Sequence, residues 1–185
     1  MTMTKKLILI TGMSGSGKTT LANKFRAIGV TAVTMGDVIR GLAREKGLPP
    51  TPENLGLLAT RIREEGGDHA VANLCVEKIN DLPDDLVLVD GIRSIREVEV
   101  FSERFETALV AVFTSQKTRY ARLTARGRSD DPKELTTFKA RDDRELGFSL
   151  SHAIALADYI VRNDGSLEDF ENEFENLLAL IGCFL

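Results

Sequence analysis

The chain has 185 residues, of which 43% are hydrophobic and 28% charged, with a formal net charge of −4 at pH 7. This composition is typical of a soluble globular protein, and its overall acidity argues against a protein built to coat nucleic acid. With two cysteines and no apolar stretch as long as a membrane span, we expect one cytoplasmic domain over 1–185, without disulfides or contact with a membrane.

The elements predicted along the chain alternate between short apolar strands and amphipathic helices. In the first half they are a strand at 7–10, a helix at 18–28, a strand at 30–35, and helices at 37–46, 53–65 and 68–79. In the second half they are strands at 86–90, 108–113 and 159–162, and helices after Ser94, at 115–126, 133–146 and 149–157, and from Ser166. This alternation predicts an α/β fold with three layers, a five-stranded parallel sheet covered by helices on both faces.

A glycine-rich loop joins the first predicted strand to the first helix and matches G-x-x-x-x-G-K-[ST]. The candidate ATP-binding residues are Gly12, Met13, Ser14, Gly15, Ser16, Gly17, Lys18, Thr19 and Thr20. Glycines let successive backbone N–H groups approach a polyphosphate, and the helix presents its positive end to the same phosphates. Lys18 is expected to reach the β- and γ-phosphates and the Thr19 hydroxyl to bind Mg²⁺. The loop therefore predicts a nucleotide site.

Two aspartates follow predicted strands, whose carboxyl ends meet at one edge of a parallel sheet. Asp90 ends an otherwise apolar run and is a candidate Mg²⁺ ligand, although it could instead cap the helix after Ser94. Asp37 follows the second strand. It is a candidate metal-supporting residue or a general base for a hydroxyl acceptor, with a simple helix cap as the alternative.

Two segments resemble adenylate kinases. The stretch 34–40, T-M-G-D-V-I-R, resembles their T-G-D-x-x-R, and 90–93, D-G-I-R, resembles their D-G-F-P-R. The resemblance implies that Arg40 and Arg93 clamp the phosphate of an acceptor nucleotide, with Gly36, Asp37 and Gly91 beside them. It also implies a helical acceptor flap over about 37–80. Exposed ion pairs are the alternative for the two arginines.

An arginine-rich segment follows, and it resembles the lid of nucleoside-monophosphate kinases over about 119–146. Arg119, Arg122 and Arg126 share one helical face. The resemblance implies that Arg126 acts in catalysis. The remaining lid candidates are Arg128 for catalysis, Arg122 for the donor nucleotide and Arg141 for the acceptor. Other arginines are expected to pair with Asp130, Asp131, Asp142 or Asp143.

Near the C-terminus, 157–166 is similar to a segment of dephospho-coenzyme A kinases that lies against the adenine of ATP. This likeness implies nucleotide contacts from Asn163 and Gly165, with a plain turn as the alternative. The combination R-G-R-S-D-D-P and R-D-D-R-E-L-G-F is similar to the archaeal adenylate-kinase-related P-loop family. The chain departs from adenylate kinases at the positions that read the acceptor base. Met35 replaces a threonine, the proline of D-G-F-P-R is missing, and no glutamine stands at 95–97.

The predicted activity is Mg²⁺- and ATP-dependent phosphoryl transfer to a nucleotide or nucleotide-like small molecule. One alternative is transfer to a hydroxyl, as in dephospho-coenzyme A kinases, for which Asp37 should be indispensable. Another is an ATPase coupled to a protein or RNA partner. The sequence leaves the acceptor, the choice of ATP over GTP and the oligomeric state open, although no N-K-x-D guanine motif follows the fourth predicted strand.

Overall fold

A computed structural model describes residues 5–127, 131–147, 149–182 and 184, except for the side chains of residues 52 and 53. Its strands are β1 (Lys6–Thr11), β2 (Thr31–Thr34), β3 (Leu86–Ile92), β4 (Glu106–Phe113) and β5 (Tyr159–Arg162). They form one parallel sheet in the order β2-β3-β1-β4-β5. This confirms the predicted five-stranded parallel sheet.

The helices of the described residues follow the strands along the chain, and the last of them comes after β5. They are α1 (Lys18–Ala27), α2 (Met35–Glu45), α3 (Pro52–Gly66), α4 (Ala70–Asn80), α5 (Ile95–Ser102), α6 (Gln116–Arg126), α7 (Leu135–Gly147), α8 (Leu150–Ala155) and α9 (Leu167–Leu180). No helix in this part of the chain is long and apolar enough to cross a membrane.

Side chains of β1 alternate between two apolar cores, because successive residues of a strand point to opposite faces of the sheet. Ile8 and Ile10 pack with residues of α1 and α9. Leu7 and Leu9 pack with residues of α2, α3, α4, α5 and α8. All four are fully buried. Helices therefore cover both faces, as the three-layer prediction requires.

Two element boundaries differ from the predictions in ways that affect the site. Helix α2 begins at Met35 after the N-cap Thr34, so Asp37 lies in its first turn and does not cap it. Strand β3 continues past Asp90, and Thr11 of β1 pairs with Ile92 after a register shift. Gly91 has a φ of 103°, a conformation that favours glycine and allows this irregularity.

Candidate functional site

The glycine loop lies against the carboxyl ends of β4 and β5, with almost no space to spare. A Cβ at Gly12 would lie 2.5 Å from the carbonyl oxygen of Val112, and one at Gly17 would lie 2.1 Å from Nδ2 of Asn163. Gly17 is also the N-cap of α1 and supplies no side chain to the first turn of the helix. The N–H groups at the start of α1 therefore have no side-chain cap of their own and can receive an anion.

Lys18 folds back over this loop. Its Nζ donates to the carbonyl oxygens of Gly12, at 2.7 Å, and Met13, at 3.0 Å. Burial lowers the pKa of Lys18 to about 8, although the negative charges of Glu145 and Asp90 oppose this. The loop thus holds a desolvated cation, whose charged form a polyphosphate would stabilise.

Two polar side chains tie the loop to the neighbouring strand ends. The Ser16 carbonyl oxygen accepts from Oγ1 of Thr114 at 2.9 Å and from Nδ2 of Asn163 at 2.8 Å. Oδ1 of Asn163 accepts from Arg122 at 3.3 Å. In the described structure Asn163 therefore braces the phosphate loop. Thr114 was not among the predicted residues, and its position directly after β4 is the only signal that the sequence offers.

Asp90 is buried, with 7% of its surface exposed. Within the described residues its Oδ1 has no hydrogen-bond partner, and neither does Oγ of Ser16 in the loop. Burial raises the pKa of Asp90 above its usual value, and the charge of Lys18 only partly opposes this. The following helix is capped by Ser94 and Glu97, so Asp90 is not its cap. An orphaned buried carboxylate oxygen beside a phosphate loop fits a divalent cation.

A cleft of about 560 Å³ opens over the loop and collects most of the predicted cations. Besides the loop residues Ser14, Gly15 and Gly17 and the residue Asn163, the predicted residues that line it are Lys18, Thr19, Thr20, Arg93, Arg122, Arg126 and Arg141. They come from α1, from the turn after β3, from α6 and from α7. Arg128 lies outside the described residues.

Several predicted acceptor residues do not line this cleft. Arg40 donates to Oδ1 of Asp37 at 2.9 Å, forming an exposed pair one turn into α2. Gly36 lies under the guanidinium of Arg40, and a Cβ on Gly91 would lie 3.8 Å from Cβ of Met35. The segments 34–40 and 90–93, the second of which lies mostly within β3, are therefore next to each other.

Gly165, the predicted partner of Asn163 in nucleotide binding, also lies away from the cleft lining. A Cβ on it would lie 2.4 Å from Oδ2 of Asp169. Ser166 and Asp169 form a capping box at the start of α9. The tight turn into this helix leaves no room for a side chain at position 165, which explains the glycine without a nucleotide contact.

The segment predicted as a lid lies against the phosphate loop. Arg119 is 4% exposed and donates to both carboxylate oxygens of Asp142, at 2.8 and 2.6 Å, and to the carbonyl oxygen of Ser14 at 3.1 Å. Arg126 forms an ion pair with Asp131. Both aspartates were among the predicted partners of lid arginines.

Sequence reasoning missed Glu145. Its Oε2 accepts from the Ser14 N–H at 3.0 Å, and the residue is 8% exposed. It stands four residues after Arg141, the spacing of a helical ion pair, and the separation between Arg141 Nε and Glu145 Oε1 is 3.6 Å.

Comparison with known proteins agrees with this architecture. Residues 11–139 match the family model described as an AAA domain. A crystal structure of TT1252 from Thermus thermophilus has a TM-score of 0.62 at 22% identity, and one of shikimate kinase from Bacteroides thetaiotaomicron has 0.60 at 18%. Each alignment covers 96% of this chain and 98% of the other. At these identities the two structures show the fold alone, a P-loop kinase fold.

Relatives at higher identity extend over almost the whole chain. A UPF0200 protein from Hyperthermus butylicus is 47% identical over 173 residues, which are 94% of this chain and 93% of the relative. A UPF0200 protein from Methanocaldococcus jannaschii is 45% identical over 177 residues, 95% of this chain and 90% of the relative. These matches confirm the predicted kinship with archaeal P-loop proteins. The chain belongs to the UPF0200 family, and its AAA domain has a P-loop kinase-like fold.

Proposed function

We propose that the protein transfers the γ-phosphoryl group of ATP to a small nucleotide-like acceptor that itself carries a phosphate. The observation that carries this proposal is the group of cations that line one cleft at the phosphate loop: Lys18, Arg93, Arg122, Arg126 and Arg141. Phosphoryl transfer depends mainly on positioning and on charge stabilisation, which such a cluster supplies. A site that only held a nucleotide would need fewer cations.

The donor side consists of the loop 12–19 with Thr20, which bind the phosphates through backbone N–H groups and Lys18. Thr19 and Asp90 are the residues that would hold Mg²⁺, which supplies neutralisation of the phosphate charge when bound. Arg122 and Asn163 lie at the same side, and Gly165 belongs to the turn that follows.

The acceptor side is assigned to Arg93 and Arg141 within the cleft, with Arg40, Gly36 and Gly91 beyond it. Arg93 stands directly after β3, and its charge is close enough to both Lys18 and Asp90 to influence their pKa values. A guanidinium there can contact the phosphate of an acceptor and the transferring group together.

A phosphate acceptor is favoured over a hydroxyl because of Asp37. Partial burial raises its pKa, but the hydrogen bond and charge of Arg40 outweigh this and hold the pKa below its usual value. A carboxylate stabilised in that way is a weak general base. A phosphate oxygen is already ionised at neutral pH and needs no base.

Replacing Asp37 by asparagine should therefore lower the rate with a phosphate acceptor by less than about tenfold, below the usual contribution of a general base. Steady-state rates at saturating acceptor measure this effect, and a Mg²⁺ titration of the same variant reveals any loss of metal support. A much larger loss at unchanged Mg²⁺ affinity would instead assign Asp37 as the base for a hydroxyl acceptor.

The proposal as a whole is tested by Mg²⁺-dependent ADP formation from ATP, alone and with nucleoside monophosphates or dephospho-coenzyme A. We expect one nucleoside monophosphate, and not dephospho-coenzyme A, to stimulate ADP formation and to be converted to its diphosphate. ADP release that is indifferent to every acceptor would contradict the proposal and point to an ATPase coupled to a macromolecular partner.

A further inference from the structure

The loop that should bind phosphate already binds an anion from its own chain. Glu145, in the last turns of α7, accepts from the Ser14 N–H through Oε2 at 3.0 Å. Its charge is also the largest electrostatic influence that favours the protonated form of Lys18. A buried carboxylate thus accepts from a loop N–H, as a phosphate group would, and its charge acts on the loop lysine.

The helix that carries Glu145 is fixed independently of this contact. Asp142, one turn earlier in α7, pairs with Arg119, which also donates to the Ser14 carbonyl oxygen. The backbone of Ser14 is consequently held at two points, by Arg119 at its carbonyl oxygen and by Glu145 at its N–H. If the Glu145 carboxylate leaves the Ser14 N–H, the Arg119–Asp142 pair can keep α7 in place. A movement of the Glu145 side chain alone is therefore sufficient to free the loop N–H.

Glu145 is also paired with a second group besides the Ser14 N–H. Oε1 lies 3.6 Å from Nε of Arg141, one turn earlier on the same helix. A carboxylate displaced from the loop can therefore remain paired with a cation on the cleft wall. The movement would redistribute charge between the loop and the proposed acceptor side.

We propose that Glu145 occupies the place of the terminal phosphate of ATP at Ser14 and Lys18, and that it discriminates between the triphosphate and the diphosphate. The inference rests on the proposed function. Lys18 is the residue expected to reach the β- and γ-phosphates, so an anion beside Lys18 competes with the end of the polyphosphate. ATP must displace the Glu145 carboxylate from the loop to bind its terminal phosphate. ADP lacks that phosphate, so Glu145 can stay in contact with the loop when ADP is bound. Glu145 therefore lowers the affinity for ATP more than that for ADP.

Glu145→Gln tests the proposal, because the amide keeps the size and the acceptor oxygen but loses the charge. A charged acceptor holds an N–H about twice as strongly as a neutral one, so we expect about tenfold tighter binding of the non-hydrolysable analogue AMPPNP. Binding of ADP should tighten less than about threefold by the same reasoning. Calorimetric titration of the full chain with each nucleotide and Mg²⁺ gives both constants.

The matched control is Asp143→Asn, which removes an exposed carboxylate from the same helix and should leave both affinities unchanged. Glu145→Asp is a second variant in case the glutamine disturbs folding. The shorter side chain weakens the contact with Ser14. The affinity for AMPPNP should therefore again increase more than the affinity for ADP. Thermal unfolding without nucleotide verifies that each variant is folded.

The outcomes separate this inference from the proposed function. Unchanged or weaker AMPPNP binding in both Glu145 variants would overturn it, and equal gains for AMPPNP and ADP would overturn the assignment to the terminal phosphate. If the unaltered protein binds neither nucleotide, the proposed function itself fails.

Discussion

Replacing Lys18 by methionine should lower ATP turnover at least a hundredfold. The substitution keeps the aliphatic stem but removes the cation that lies over Gly12 and Met13 in the phosphate loop. Removing one preorganised donor from a developing negative charge typically costs about 10²–10³ in rate. Mg²⁺-dependent ADP formation at saturating ATP measures the effect.

The control is Lys24→Met on the same helix, because Lys24 pairs with Glu171 and lies outside the cleft. It should retain most of the activity. Comparable losses of ATP turnover in both variants would mean that the substitutions disturb the helix and not the cleft. That result would contradict the role assigned to Lys18.

The pKa of Lys18 gives the same prediction a pH dependence. Since burial lowers this pKa to about 8, Lys18 is protonated below pH 8 and loses its charge progressively above it. The affinity of the unaltered protein for ATP should therefore fall as the pH rises through about 8, by up to tenfold per pH unit. The methionine variant should lack this fall, and a fall of the same size in that variant would assign the titration to another group.

The fold could be predicted from the sequence because its signals are local. A run such as 7–10 is apolar on both faces only if helices cover both sides of the sheet. The phosphate loop follows this run directly. The loop motif, the strand before it and the helix after it therefore lie within about twenty residues of one another. Boundaries were less accurate at β3, where the irregularity at Gly91 depends on pairing with β1 and is invisible locally.

Contacts within the candidate site were harder to predict, since the partners lie far apart in the chain. Glu145 and Ser14 are separated by 131 residues, and Asn163 and Ser16 by 147. Each of these side chains has an ordinary local explanation, a helical ion pair for Glu145 and a turn for Asn163. Only the packing of α7 and the pairing of β5 in the folded protein bring them onto the loop.

This arrangement places the predicted lid segment directly against the phosphate loop. A Cβ at Gly15 would lie 2.9 Å from Cγ of Leu123 in α6, so the loop and the lid helix are in close contact. Arg119 then adds a polar link to the Ser14 carbonyl oxygen. Changes in the base of the lid should consequently alter both the stability of the fold and the shape of the loop.

Asp142→Ala should reveal that double role, with a loss of about 3–5 kcal/mol in the free energy of unfolding. The pair is almost fully buried, with side chains only 5% and 6% exposed, so the variant leaves the Arg119 cation buried without its carboxylate. For a chain of this size such a loss corresponds to a fall of roughly 10 °C in Tm. Thermal unfolding followed by circular dichroism measures it.

The exposed pair between Arg61 and Glu65 provides the matched control, since its side chains are 75% and 73% exposed. Glu65→Ala should change the free energy of unfolding by less than about 0.5 kcal/mol. A comparable loss of unfolding free energy in Glu65→Ala and Asp142→Ala would contradict the conclusion that burial makes the Arg119–Asp142 pair important for stability.

The double variant Arg119→Met with Asp142→Leu separates stability from function. Exchanging a buried ion pair for apolar side chains of similar size is often neutral, so most of the lost stability should return. The Ser14 carbonyl oxygen, however, still lacks its donor, because methionine cannot replace the guanidinium. We therefore expect weaker ATP binding than in the unaltered protein at near-normal Tm. If ATP binding recovers together with Tm, the ion pair serves the fold alone and does not shape the phosphate loop.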